Sequence, residues 1–359
     1  MFERILVPLD GSKGSERAIP VAARIARAGF GSIVFVSVVL PPVEVGTYRV
    51  ERAVPLKPGA FKRRMAGAVD YLARIRETYA SELAGIETEI DVADGAASPM
   101  IYTAASLEGV DLIVLCSHHE GGLKRWVFGS VAQEALRHSP VPVLVLNEHG
   151  TLPPAADVTR PLRVLVPVDG SAFSEAAILL AAQLVAALAA PMEGEVHLFS
   201  VVDVPSVYGK LKSHVHMTDI AQEEARQEAQ RETKGYVRSL KVACEAAFAG
   251  TALTVTSAIA FSTDIAGAIV KEAEQAVDGA SAPRYDMIAM ATHSRGPLPR
   301  LFIGSVTEHV LKTTKLPLLI VRPQSAETSG EGEEPEGITV VGVRGVKEPD
   351  TADLPYELP

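Results

Sequence analysis

The chain is short of several features that mark common function classes. It holds two cysteines, Cys116 and Cys244, in 359 residues. That excludes a disulfide framework and a multi-cysteine zinc site, and it fits a reducing compartment. It also lacks basic excess: 34 Lys and Arg face 44 Asp and Glu, for a formal charge of −10. A net acidic chain is poorly suited to binding nucleic acid or anionic lipid through a broad basic face. Nucleic acid and membrane are therefore not expected as partners. The longest apolar run is AAILLAAQLVAALAA, 176–190, interrupted by Gln183 and stopped by Pro191. A membrane span needs about 20 apolar residues, so a buried helix is the expectation. The opening MFERILVPLD has no basic segment ahead of an apolar core. No secretory leader is expected from it, and a cytoplasmic location is. Phosphate-loop, dinucleotide and nucleophile-elbow motifs are all missing, and no Ser/His/Asp set declares itself. The expectation is that the chain is not an enzyme.

What is present begins with a repeat. RILVPLDGS at 4–12 returns as RVLVPVDGS at 163–171, an offset of 159. FGSV at 128–131 returns as IGSV at 303–306, and SPVPVLVL at 139–146 answers TKLPLLIV at 314–321, an offset of 175. So long a period means a duplicated domain, not a solenoid. The roughly 16 extra residues of the second copy fall naturally in its middle helix and around VDGASAP, 277–283. A content of 47% hydrophobic and 22% charged residues is enough for packed cores.

Within each copy apolar runs alternate with helical periodicity. Strands are predicted near 3–9, 32–39, 87–93, 111–116 and 142–147, with helices near 15–28, 60–84, 98–108 and 130–138. The second copy matches with strands near 162–168, 195–202, 252–260, 285–291 and 316–321 and helices near 173–189, 218–247, 263–278 and 305–313. Runs such as DLIVLC and VPVLVL are too apolar for a strand with one wet face, so the sheet is parallel and covered on both sides. Alternating β and α elements then give a doubly wound α/β fold. The expected organisation is domain one at 1–148, a Pro-rich linker at 149–160, domain two at 161–322 and an acidic, aperiodic tail at 323–359. The tail holds nine acidic and two basic residues, a net of −7, so most of the chain's charge sits there. Inside it, ITVVGVRGV (338–346) is a short apolar island. It is compatible with an edge strand or a partner contact, though an unstructured tail is the simpler expectation.

In an open α/β sheet ligands bind beyond the carboxyl ends of strands, where strand order reverses. Two segments per copy are expected there: the turns Asp10-Gly11-Ser12 and Asp169-Gly170-Ser171, and the loops CSHHEGGLKRWVFGS (116–130) and ATHSRGPLPRLFIGS (291–305). These segments, with the SPVPVLVL-like last strand, resemble the universal stress protein family in its tandem form. The resemblance covers both copies and implies sheets of strand order 3-2-1-4-5, adenine nucleotide alpha hydrolase-like. It also implies an intrachain pseudo-dimer in which 142–147 meets 316–321, with homodimerisation left open.

Some members of that family bind ATP through G-x-x-G, nine residues, then G-S or G-T. Here the leading positions hold Cys116 and His119 before Gly129-Ser130, and Ala291 and Ser294 before Gly304-Ser305. The spacing is kept twice and all four leading glycines are replaced. Glycine permits close approach of backbone to phosphate. Small Ala291 and Ser294 preserve that approach better than His119, so the second copy is the better nucleotide site. Ser130 and Ser305 read equally as N-caps of capping boxes with Gln133 and Glu308. Asp10 and Asp169 line the pocket by the resemblance, or close Asx turns by local chemistry. His293 aligns with His118 as a pocket-wall residue. Consecutive His118, His119 and Glu120 match no metal spacing, and no metal site is expected. Cys116 and Cys244 read as inert packing residues.

The expectation is a cytosolic stress-response and regulatory protein, with ATP and Mg²⁺ as the implied cofactor. The alternative is a nucleotide-independent interaction or chaperone-like protein with vestigial pockets.

Overall fold

The computed structural model describes residues 2–40, 59–117, 134, 137–147, 152, 161–203, 219–275, 284–292 and 304–322. The first half holds β1 (Arg4–Pro8), α1 (Lys13–Glu16), α2 (Ala18–Gly29), β2 (Ser32–Val39), α3 (Ala60–Thr78), β3 (Thr88–Asp94), α4 (Ala97–Leu107), β4 (Leu112–Cys116) and β5 (Val143–Leu146). The second half holds β6 (Leu162–Pro167), α5 (Ala172–Ala189), β7 (Gly194–Asp203), α6 (Asp219–Ala247), β8 (Leu253–Ser262), α7 (Ile265–Glu274), β9 (Met287–Ala291), α8 (Ser305–Thr313) and β10 (Leu318–Val321). The helix predicted over 15–28 is broken at Arg17, where a one-turn α1 gives way to α2. The helix predicted over 60–84 stops at Thr78, and turns carry the chain onward to Ile86. The helix predicted over 130–138 lies largely outside the described residues.

The strands form one ten-stranded sheet of order β3-β2-β1-β4-β5-β10-β9-β6-β7-β8. Each half has the expected order, and every pairing within a half is parallel. The two five-stranded units meet where 142–147 was expected to face 316–321. They are fused by antiparallel pairing of β5 with β10, in the register Leu318 to Val145, Leu319 to Leu144 and Ile320 to Val143. Both strands are wholly apolar and wholly buried. Parallel strands covered on both faces need two helical layers. One face packs under α2, α3, α5 and α6, forming a single apolar cluster that runs through both halves. The other packs under α4, α7 and α8.

The apolar run of the second half is α5. By length and composition alone it could cross a membrane. In the fold its Ala177, Ile178, Ala181, Leu184, Val185 and Leu188 are buried against the sheet and α2. Across that contact the Arg24 guanidinium donates to the Leu188 carbonyl. A second polar tie crosses the strand junction. The Asn147 amide donates to the carbonyls of Thr314 at 2.9 Å and Leu316 at 2.8 Å. Asn147 is buried, so its loss strands two carbonyls away from water. Such a loss costs about 1–3 kcal/mol. Asn147→Ala is expected to destabilise the chain by about 2 kcal/mol, read from urea unfolding at pH 7. An unchanged midpoint would show that the junction does not need the amide.

One ionisable group lies deep in the second half. His197 on β7 is 4% exposed, between Phe199 and Tyr285. Thr256 Oγ1 donates its one proton to Glu195 at 2.7 Å, so it accepts from His197 Nδ1, also at 2.7 Å. The opposite ring nitrogen, Nε2, is buried without a partner. Burial, helped by Arg284 and Arg163 and opposed by Glu195, holds the imidazole down to about 4. The unfolded chain protonates near 6.5 and the folded one near 4, so acid favours unfolding across that window. Between pH 7 and pH 5 this group removes about 2 kcal/mol of stability. His197→Gln should flatten the loss by that amount in urea melts at the two pH values.

Candidate functional site

The reversal of strand order falls between β1 and β4 in the first half and between β6 and β9 in the second. β1 and β4 are paired through Ile5–Leu112 and Leu6–Ile113, and β6 and β9 through Val164–Met287 and Leu165–Ile288. The D-G-S turns follow the carboxyl ends of β1 and β6. Cys116 and Ala291 close β4 and β9 at the same ends. The fold therefore brings Asp10 to the strand end that carries Cys116, and Asp169 to the one that carries Ala291. His119, Gly129, Ser130, His293 and Ser294 lie outside the described residues, as do His118 and Glu120.

Both turns are built alike. Asp10 Oδ1 accepts from the Ser12 N–H at 2.9 Å and the Ser15 hydroxyl at 2.7 Å. Asp169 Oδ1 accepts from the Ser171 N–H at 3.1 Å and the Ser171 hydroxyl at 2.6 Å. The middle glycines have φ of +88° and +84°, which glycine adopts without the penalty an L side chain meets. Ser12 and Ser171 then cap the following helices by accepting from the N–H groups of Ser15 and Ser174. The Asx turn expected from local chemistry is thus realised in both halves.

The serine five residues beyond each aspartate locks the turn from behind. Ser15 Oγ accepts from the Asp10 N–H at 3.4 Å, and Ser174 Oγ accepts from the Asp169 N–H at 3.2 Å. The next residue is a glutamate in each case, and the sequence reading passed over it. Glu16 is 3% exposed and binds Lys13 Nζ at 2.6 Å, Tyr79 Oη at 3.1 Å and Tyr71 Oη at 3.4 Å. Glu175 accepts from Tyr236 Oη at 2.9 Å. Burial first, then the nearby glutamate, pushes the Tyr71 and Tyr236 phenols up, so both remain donors. The signal was available: DGSKGSE and DGSAFSE differ at two positions only.

At the other side of the second site, α8 begins at Ser305 with Gly304 as its extended entry residue. The expected capping box is not formed. Ser305 is the first helical residue instead of the cap, and Gly304 has no side chain to cap with. Glu308 turns away to Lys312 at 2.6 Å, which holds its carboxyl below the usual range. Ser305 is exposed, and among the described residues no side chain caps the first N–H groups of α8. A helix start of this kind favours anions.

Chemically, Asp169 offers a carboxylate acceptor beyond the end of β6, and α8, which follows β9 in the chain, begins with N–H groups that no described side chain caps. Nucleophilic chemistry is not supported by the thiols. Burial pushes Cys116 up to about 12 and Cys244 up to about 11, leaving both protonated at neutral pH. Among the described residues no group of His, Cys, Asp and Glu is placed to hold a metal. A separate cleft of about 460 Å³ lies where the halves meet, between Phe2, Asp111, Pro140, Leu180, Gln183 and Arg322. It borders the amino ends of β1 and β4 and the carboxyl end of β10, on the rim that also carries the second D-G-S turn.

A parallel sheet duplicated in tandem, with an Asx turn at each reversal point, is a doubly wound α/β fold in two copies. The chain belongs to the universal stress protein family, whose sequence model matches residues 1–147 and 162–322. It is therefore a stress-response protein of that family. It is 31% identical over 184 residues to the universal stress protein Rv2623 of Mycobacterium tuberculosis, covering 49% of this chain and 57% of that one. The match thus spans little more than half of that relative's length. It is 27% identical over 153 residues to the universal stress protein YxiE of Bacillus subtilis, covering 41% of this chain and all of that one. Among solved structures, a universal stress protein from Archaeoglobus fulgidus superposes with a TM-score of 0.59 at 19% identity, over 89% of this chain and 98% of its own. That similarity supports the fold.

Ser174→Ala removes the acceptor for the Asp169 N–H and the donor to the Ser171 carbonyl, at 2.8 Å. It should cost about 1 kcal/mol in urea unfolding, with Ser15→Ala giving a similar loss in the first half.

Proposed function

We propose that this universal stress protein works by binding and regulation, without turnover, and that its second half holds an adenine nucleotide. The proposed units are 1–148 and 161–322, joined by 149–160 and followed by the tail 323–359. The site would be formed by Asp169, Ala291, His293, Ser294, Gly304 and Ser305. The corresponding first-half set, Asp10, His119, Gly129 and Ser130, would be the weaker site.

The observation that carries this reading is the start of α8. Ser305 does not cap the helix, Glu308 is turned away, and among the described residues no side chain caps the leading N–H groups. That arrangement suits phosphate oxygens, and Ala291 adds no bulk in front of it. Asp169 would accept from ribose or adenine donors, or support a metal through its carboxylate. The residues therefore fit ATP with Mg²⁺, which would bring the triphosphate charge that the helix start favours. The rival reading is a nucleotide-independent interaction protein, favoured by replacement of all four leading glycines.

Calorimetric titration with ATP and Mg²⁺ separates the two. Binding heat is expected for the native chain and at least a tenfold loss of affinity, about 1.4 kcal/mol, for Gly304→Glu. Absence of heat in the native chain would leave the rival reading.

A further inference from the structure

The fused sheet ends in two outer strands of opposite character. Outer strands present unpaired N–H and C=O groups, and proteins commonly guard them with charge, proline or short length. β3 is guarded in this way: TEIDVAD carries Glu89, Asp91 and Asp94. β8 is not. LTVTSAIAFS is ten residues long and contains no charge and no proline.

The hydrogen-bond pattern fixes which groups of β8 face outward. Gly194 N–H donates to the Ala252 carbonyl, and Gly194 is in register with Leu253. In a parallel ladder the even-numbered residues 254–262 then turn their backbone groups toward β7. Val255, Ser257, Ile259 and Phe261 turn theirs away, and among the described residues nothing pairs with them.

We propose that the apolar island of this chain's own tail, 338–346, adds to β8 as an eleventh strand. Four observations carry this. The segment ITVVGVRGV contains Ile338, Val340, Val341, Val343 and Val346, β-branched residues that fit a pleated surface, and a single charge, Arg344. Its nine residues match the ten of β8. It is also within reach: the vacant position is five strand steps from β10, about 24 Å at about 4.8 Å each. The 16 residues from Arg322 to Ile338 can span about 50 Å. Finally, the two edges differ in character: β3 carries three carboxylates and β8 none, so β8 is the edge that offers an uncharged apolar strand to an apolar segment. β10 runs parallel to the rest of its half, so the tail leaves at the carboxyl end of β8 and the added strand runs antiparallel to it. Tethering gives the tail a high effective concentration, and that favours it over a second copy of the chain.

The test is hydrogen exchange on the full chain, native against the double variant Val340→Pro, Val341→Pro. Consecutive residues of a strand face opposite ways, so the pair removes one inward donor in either register. The amides of Val255, Ser257, Ile259 and Phe261 should exchange at least tenfold faster in the variant, with the β7-facing amides unchanged. Equal rates in the two proteins would overturn the proposal. So would protection that grows with protein concentration together with a dimer in light scattering, which assigns the edge to a second copy.

Discussion

The antiparallel pairing of β5 with β10 is the constraint on which the rest of this molecule depends. Only three residue pairs join the two strands, yet they sit at the centre of the sheet. Each strand is four residues long and entirely buried. Alone, either five-stranded half would present that strand as an open apolar edge, the feature most prone to uncontrolled pairing. Joined, they cover one another, and α2 and α5 close over the seam with Arg24 and Asn147 tying it across both halves. The burial that stabilises the junction is the same burial that makes one apolar layer continuous through the chain.

The two D-G-S turns are held in place by the chain's own donors and acceptors. The aspartate is oriented by backbone and serine donors, the glycine allows the reversal, and the serines pass the chain into a helix. Behind them, Glu16 and Glu175 accept from Tyr71 of α3 and Tyr236 of α6, which ties the helical turn after each D-G-S segment to a neighbouring long helix. Preorganisation of this kind lowers the ordering cost that any bound molecule has to meet.

Much of the fold was legible in the sequence, for identifiable reasons. Strands buried on both faces leave uninterrupted Val, Ile and Leu, as in DLIVLC and VPVLVL, and those runs located β4 and β5 closely. The doubled RILVPLDGS motif marked the turns and the reversal points. Less visible were features that depend on tertiary placement. Glu16 and Glu175 look like ordinary surface residues of a helix start, and only the folded chain brings Tyr79 and Tyr236 to them. Ser305 illustrates the opposite case: S-x-x-E predicted a cap, but the chain enters the helix one residue earlier, and Glu308 finds Lys312 instead.

The direction of the central pairing has one more consequence. Strands β1 and β4 run one way across the sheet, and β6 and β9 run the other. The two reversal points therefore open toward opposite rims of the molecule. No single small molecule can touch both, so any communication between them has to pass through the strands in between. A larger partner that recognised both mouths would meet them from opposite directions, which favours growth in a line over closure into a ring.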